Sequence, residues 1–290
     1  MSEPWQHFLQ SQRLKLSYWT WGDASKPPLI LVHGGRDHAR SWDFIAERLT
    51  DHYHVLACDL RGHGDSEWSR GSHYATPEHV LDLIALIDLV GGRATVVSHS
   101  FGGAITLLAA GAFPDHFERV VSIEGAGAWA SPTAITADEF RSWAKQSRGT
   151  EQHSPRVYPS IEEARDRMRE ANPRLSSELA MHLARWGTHG IDGGYVWKFD
   201  PWLYARSPLH NLRFDEVATL WRDITAPVLH ISGSDSHFNR SAVEGRPVES
   251  YFAQATAVTI DGAGHWAHHD QIDATVQTIR DFLGLAPSSG

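Results

Sequence analysis

The chain has 290 residues, room for one large domain with a sizeable insertion and a core that needs no disulfide or metal staple. Lys and Arg number 26 against 35 Asp and Glu, giving a net charge of −9 with no block of like charge, which argues against nucleic acid or an anionic membrane surface as the main partner. The single cysteine, Cys58, allows no intrachain disulfide, and no stretch approaches the ~18 apolar residues of a membrane span. The opening MSEPWQHFLQSQRLKL lacks the apolar run of a secretion signal, so a soluble, cytoplasmic protein is expected.

In chain order, RLKLSYWTWG (13–22) alternates in polarity and reads as a hairpin strand at a sheet edge. PLILVH (28–33) is an apolar run ended by glycines, a buried strand; SWDFIAERL (41–49) has helical spacing. YHVLACD (53–59) is the next strand. TPEHVLDLIALIDLV (76–90) then opens with Thr76 as N-cap and Pro77 in the first turn. ATVVSH (94–99), the small-residue helix FGGAITLLAAGAF (101–113) and RVVSIEG (119–125) continue the alternation, as do APVLHISG (226–233), ATAVTIDG (255–262) and the helix QIDATVQTIRDFL (271–283). Strands apolar on both faces, separated by helices, mean an α/β fold with a mainly parallel sheet covered on both sides.

The alternation breaks between residues 127 and 225, where helix-like IEEARDRMREA and SSELAMHLARW occur without clear strands. Trp129, Trp143, Trp186, Trp197, Trp202 and Trp221 fall here, half of the 12 tryptophans in about a third of the chain. The pattern predicts a helical cap inserted over a core made of 1–126 and 226–290. Its tryptophans either pack it down or line a pocket for an apolar group.

Ser100 stands in VVSHSFGG, between a buried strand and a helix. It could cap that helix. Alternatively, small neighbours at Ser98 and Gly102 would let a sharp turn lift its hydroxyl out as a nucleophile, with the Phe101 N–H aimed at a developing oxyanion. His33-Gly34-Gly35 ends an earlier strand and places Gly35 as a second N–H donor. A serine hydroxyl needs an adjacent base near neutral pH, and His265, on the glycine-rich turn of DGAGHWAHHD, is free to reach it. In DLRGHGDS (59–66), turn chemistry accounts for His63 and Asp65 better than catalysis does.

HGG, DLRGHGDS, SHSFGG and GAGHW, in that order and spacing, make nearly the whole chain similar to the α/β-hydrolase family. Ser98 departs from the family's usual glycine. The resemblance implies an eight-stranded-type sheet with helices on both faces and an inserted cap, and a serine nucleophile with a histidine base and an orienting carboxylate. Family members carry that acid after either of two strands. In the commoner place this chain reads Gly233-Ser234-Asp235-Ser236, one residue out of register; in the other it offers Glu124, an unusual carboxylate ending an apolar strand. Both stay open, with Glu124 favoured.

The resemblance implies a cofactor-free serine hydrolase acting on a carboxylic ester or related acyl bond of a small molecule. Ser100 excludes the aspartate-nucleophile epoxide hydrolases and dehalogenases. Lactonase, carbon–carbon hydrolase and cofactor-free haloperoxidase chemistries remain open, as does a non-catalytic ligand-binding role. Arg36, His99 and Trp129 are the candidate substrate contacts, although Arg36 and Asp37 could simply face solvent. His265, His268, His269 and Asp270 have metal-like spacing, but no HExxH occurs, so no metal is expected. No glycine-rich nucleotide signature follows a strand, so no cofactor is expected either. Monomer and homodimer are both open.

Overall fold

The computed structural model describes residues 3–71, 74–126, 136–151, 154–205, 212–238, 242–243 and 245–286. The chain opens with β1 (Trp5–Ser11) and β2 (Leu14–Trp21), an antiparallel pair, followed by β3 (Pro28–Val32), a short α1 (Asp43–Ala46) and β4 (His54–Cys58). Then come α2 (Thr76–Leu89), β5 (Ala94–His99), α3 (Ser100–Ala112) and β6 (Phe117–Ile123). The middle holds α4 (Ala137–Glu151), α5 (Ile161–Ala171), α6 (Ser177–Gly187), the hairpin β7 (Thr188–Ile191) and β8 (Gly194–Trp197), and α7 (Phe214–Arg222). The chain returns through β9 (Val228–Gly233), the two-residue β10 (Ala242–Val243) and β11 (Arg246–Pro247), β12 (Ala255–Ile260), α8 (Ala267–Asp270) and α9 (Ile272–Leu283).

Eight strands form one sheet in the order β1-β2-β4-β3-β5-β6-β9-β12. β2 pairs antiparallel with β1 and β4, and every other neighbour is parallel. The side-chain period of two splits each central strand between two cores. In β3, Leu29 and Leu31 pack with Trp42, Val276 and Ile279 on one face; Ile30 and Val32 pack with Leu83, Ile105 and Leu107 on the other. Full burial of each such side chain stabilises the fold by roughly 1.5–3 kcal/mol.

Several expectations are corrected. β2 is not the edge strand, because β1 pairs outside it. The turn between them puts Gln12 and Arg13 at φ 45° and 73°, a tight hairpin built without glycine and so silent in the sequence. The other edge strand, β12, leaves Thr256, Ala257 and Thr259 exposed. The N-cap of α2 is Ala75, with Thr76 already helical and Pro77 in the first turn. Residues 39–49 form three short helical turns, not one helix. Their tight winding eclipses positions three apart, which lets Arg40 grip Asp43 through Nε and Nη2 at 2.6–2.9 Å.

The expected insertion contains a hairpin, β7–β8, besides its helices, and its last helix is part of the core. Trp221 of α7 is fully buried against Phe214, Tyr251 and Phe252, and α7 lies so close to α3 that a Cβ on Gly111 would stand 2.2 Å from the Leu220 carbonyl. α6 is fastened to the segment after β3: His38 Nε2 donates to the Leu183 carbonyl (3.1 Å), His182 Nε2 donates to the Arg40 carbonyl (3.0 Å), and the Arg40 guanidinium lies between Trp19 and Trp186, 4.6 and 3.7 Å from their rings. Cys58 is buried, and desolvation pushes its thiol up to about 12, an inert side chain.

Candidate active site

Ser100 is the first residue of α3, and His99 occupies the cap position without a side-chain capping bond. Ser100 has φ 49°, a left-handed conformation that holds its Oγ away from the helix, 2.9 Å from His265 Nε2. The approach of α3 to the sheet is what its glycines allow. A Cβ on Gly102 would stand 2.4 Å from the His33 carbonyl, and one on Gly103 would stand 2.7 Å from the Gly125 Cα. Ser98 is accommodated where a glycine was expected because its hydroxyl donates to the Val121 carbonyl at 2.9 Å.

Behind His265 lies Glu124, also left-handed at φ 55°, which turns its carboxylate under the imidazole. Oε2 stands 3.4 Å from His265 Nδ1 and accepts the Ser236 hydroxyl at 3.0 Å; Oε1 accepts the Gly233 N–H at 2.8 Å. Asp235 points elsewhere, paired with Arg174 at 2.8 Å on the surface. Ser236, in the register where the other acid was sought, thus supports Glu124 with a hydroxyl. The Phe238 ring packs against His265 at 4.5 Å. Neither contact was read from the sequence, since the spacing around Gly233 carries no sign of where these side chains turn.

His33 braces the loop beside Ser100. Its Nε2 accepts the Leu60 N–H (3.0 Å), so Nδ1 carries the proton and donates to the Gly34 carbonyl (2.6 Å); burial holds the ring neutral, its pKa well below the usual value. Gly35 and Arg36 follow, Arg36 at φ 63°, both on the wall of a cavity of about 770 Å³ that residues of α5 and α6 also line. Its apolar lining includes Met168, Leu175, Leu183, Trp197 and Trp266; Arg156 and Arg167 join Arg36 as cations. Among the described non-glycine residues with positive φ, all but the two in the first hairpin belong to this site: Arg36 on the cavity wall, and Ser100 and Glu124 on either side of His265.

The other sequence candidates fall into place around this centre. His99 faces the interior, not the cavity: it is 1% exposed, and its Nε2 donates to the His265 carbonyl at 2.9 Å. Trp129 lies outside the described residues. Of the tryptophans between residues 127 and 225, Trp197 lines the cavity, Trp143 donates to the Ala205 carbonyl (2.7 Å), and Trp186 packs edge-on against Trp19. His63 is buried against His33, and Asp65 pairs with Lys198 at 2.7 Å, both away from Ser100. The histidine-rich turn is dispersed. His269 Nε2 meets the Ser41 carbonyl (3.3 Å), Asp270 accepts the Gly264 N–H (2.8 Å) and the Asn172 amide (3.0 Å), and His268 turns toward Asp37 and His99.

A mainly parallel sheet that lifts a left-handed serine onto a histidine backed by a carboxylate defines the hydrolase class of α/β proteins. The sequence profile of the alpha/beta hydrolase family matches residues 29–278, and the chain belongs to that family. The chain is 27% identical over 277 residues to a serine hydrolase-like protein of Danio rerio, covering 91% of this chain and 83% of the relative. It is 27% identical over 273 residues to esterase Rv0045c of Mycobacterium tuberculosis, covering 91% and 84%. In structure it resembles the thioesterase domain of the curacin biosynthetic pathway, with TM-score 0.85 at 22% identity over 96% of this chain and 99% of that one. No helix among the described residues is long and apolar enough to cross a membrane.

Proposed function

We propose that the protein is a serine hydrolase that cleaves carboxylic esters of small molecules through an acyl-enzyme, without a cofactor. The observation that carries this reading is the 2.9 Å contact between Ser100 Oγ and His265 Nε2 at a left-handed strand–helix turn. Ser100 attacks the ester carbonyl as His265 takes its proton; Glu124 holds the Nδ1–H and balances the imidazolium charge. The N–H groups of Phe101 and Gly35 stabilise the oxyanion, aided by the positive end of α3. His265 then protonates the leaving alcohol, and water releases the acid by the same steps in reverse.

The segment from 136 to 205 acts as the lid that shapes the substrate. Arg36, Arg156 and Arg167 line the apolar cavity against one acid, Asp37, and although Arg167 already pairs with Glu170 at 3.0 Å, the cationic surplus favours an ester with an apolar body and an acidic end. A fluorophosphonate probe tests the chemistry: wild type is labelled, Ser100→Ala is not, and failure of the folded wild type to label overturns the reading. Comparing kcat/KM for a dicarboxylate monoester with that for its neutral diester, in wild type and Arg156→Gln, tests the preference. The acidic substrate is favoured in the first and loses its advantage in the second.

A further inference from the structure

We infer that Asp37, His99 and His268 form a binding site for a divalent transition-metal ion, typified by zinc, directly behind the loop of Gly35, and that its occupancy inhibits turnover. The inhibitory arm rests on the serine-hydrolase reading; the binding arm does not.

Asp37, His99 and His268 come from three separate parts of the chain, and one potential ligand atom of each lies within 4.8 Å of the others. His99 and His268 are each 1% exposed, yet His99 Nδ1, both His268 nitrogens and Asp37 Oδ2 are buried with no hydrogen-bond partner among the described residues. The state of His99 follows from its other end. Nε2 faces the His265 carbonyl, an obligate acceptor, so it carries the proton and Nδ1 presents a bare lone pair to the cluster. Asp37 is also fixed on one side, its Oδ1 accepting the His38 N–H at 2.9 Å, while its carboxyl keeps the Ser41 hydroxyl close by. His268 stacks on Trp42, 4.6 Å between rings, and lies 4.4 Å from the His99 ring.

Neutral His268 has one N–H to share between the His99 lone pair and the Asp37 oxygen, whereas a metal ion would satisfy a donor atom on all three side chains at once. Two imidazoles and one carboxylate suit zinc and its transition-metal neighbours, whereas calcium and magnesium call for oxygen ligands. A ligating histidine that donates its other N–H to a backbone carbonyl has its lone pair aimed in advance. Bonds of about 2.0–2.1 Å require the donors to close to roughly 3.4 Å apart. The half-buried Asp37 supplies that movement, being two residues beyond Gly35 on the loop that turns at Arg36. Closure draws Gly35 away from the oxyanion position and pulls on the backbone of His265 through His99.

Titration of the metal-free full chain with zinc chloride, followed calorimetrically, tests the site. One equivalent of zinc binds, Asp37→Asn and His268→Gln each weaken it by about tenfold or more, and Ser100→Ala leaves it unchanged. Cobalt(II) in place of zinc gives the intense visible bands of a four-coordinate ion, which the same two substitutions abolish. Zinc inhibition of ester hydrolysis shifts in Asp37→Asn in parallel with its affinity. Unchanged affinity in a folded Asp37→Asn protein overturns the proposal, as does binding lost in His265→Gln but kept in His268→Gln. Asp37→Asn is isosteric on a loop and decides the matter even where His268→Gln fails to fold. Zinc bound without inhibition overturns the inhibitory arm, and absence of any esterase activity leaves the calorimetric result standing by itself.

Discussion

Replacing Glu124 with glutamine keeps the shape of the site and removes its charge. The carboxylate oxygen stands 3.4 Å from His265 Nδ1 in a buried setting, a pairing with the imidazolium worth about 5 kcal/mol at an effective dielectric constant of ~20. Little of that attraction exists while His265 is neutral, so most of it is gained as the serine proton is transferred. Hydrogen bonding compounds the loss. The Gly233 N–H and Ser236 hydroxyl both donate to Glu124. In Glu124→Gln the amide oxygen serves Gly233, which turns the NH2 toward Nδ1 and forces the proton onto Nε2, where His265 can no longer accept from Ser100. A roughly thousand- to ten-thousandfold fall in kcat/KM on a nitrophenyl ester is expected. Asp235→Asn, which breaks only the exposed pair with Arg174, changes kcat/KM by no more than about twofold. Urea unfolding of both variants verifies that they are folded. Glu124→Gln within tenfold of wild type, or a large loss in Asp235→Asn, refutes the assignment.

Arg40→Ala leaves the buried Asp43 carboxylate with only His182, 3.2 Å away, and empties the space between Trp19 and Trp186; unfolding in urea registers a loss of about 3–5 kcal/mol, and a loss below about 1 kcal/mol contradicts the role given to this pair. Gly102→Ala places a methyl against the His33 carbonyl and shifts α3 with Ser100, so stability drops by about 1–3 kcal/mol and nitrophenyl ester turnover falls with it; wild-type behaviour in both assays contradicts the close approach. Acid destabilises the fold. Burial holds His38 at about 3 and His269 at about 4, against a usual 6.5, and holds His33, His99 and His268 well below theirs. The unfolded chain therefore takes up protons below about pH 6.5 that the native chain refuses, at up to ~1.4 kcal/mol per pH unit for each histidine. Asp37 and Asp59, raised to about 7 and about 6 by desolvation, oppose this, but two groups do not offset five. The urea midpoint accordingly falls steadily from about pH 7.5 to about pH 5, and a midpoint that holds or rises contradicts the buried neutral histidines.

The parallel strands were legible because burial on both faces leaves long apolar runs, and HGG, SHSFGG and GAGHW were legible because each marks a strand end where glycine permits a close turn. β1 escaped notice because four of its first five residues, Trp5, Gln6, His7 and Phe8, are exposed and show no buried stripe. The β7–β8 hairpin escaped because it is only four residues on each side and, outside itself, pairs with no more than a single bridge to Tyr158. Separating Glu124 from Asp235 required the left-handed backbone at position 124, which no propensity suggests for glutamate. His99, a candidate substrate contact in the sequence, faces inward because alternation along β5 and its bond to the His265 carbonyl turn it away from the cavity.

Positions 36, 100 and 124 each hold a side chain in a backbone region natural to glycine, at about 1–3 kcal/mol apiece. A directed-evolution campaign that selects only for thermal tolerance will therefore find some of its easiest gains at the three points where turnover is most exposed to damage. Libraries for a hardier enzyme should freeze these codons and diversify elsewhere, and an unselected drift toward glycine there would itself report that catalysis had stopped being screened.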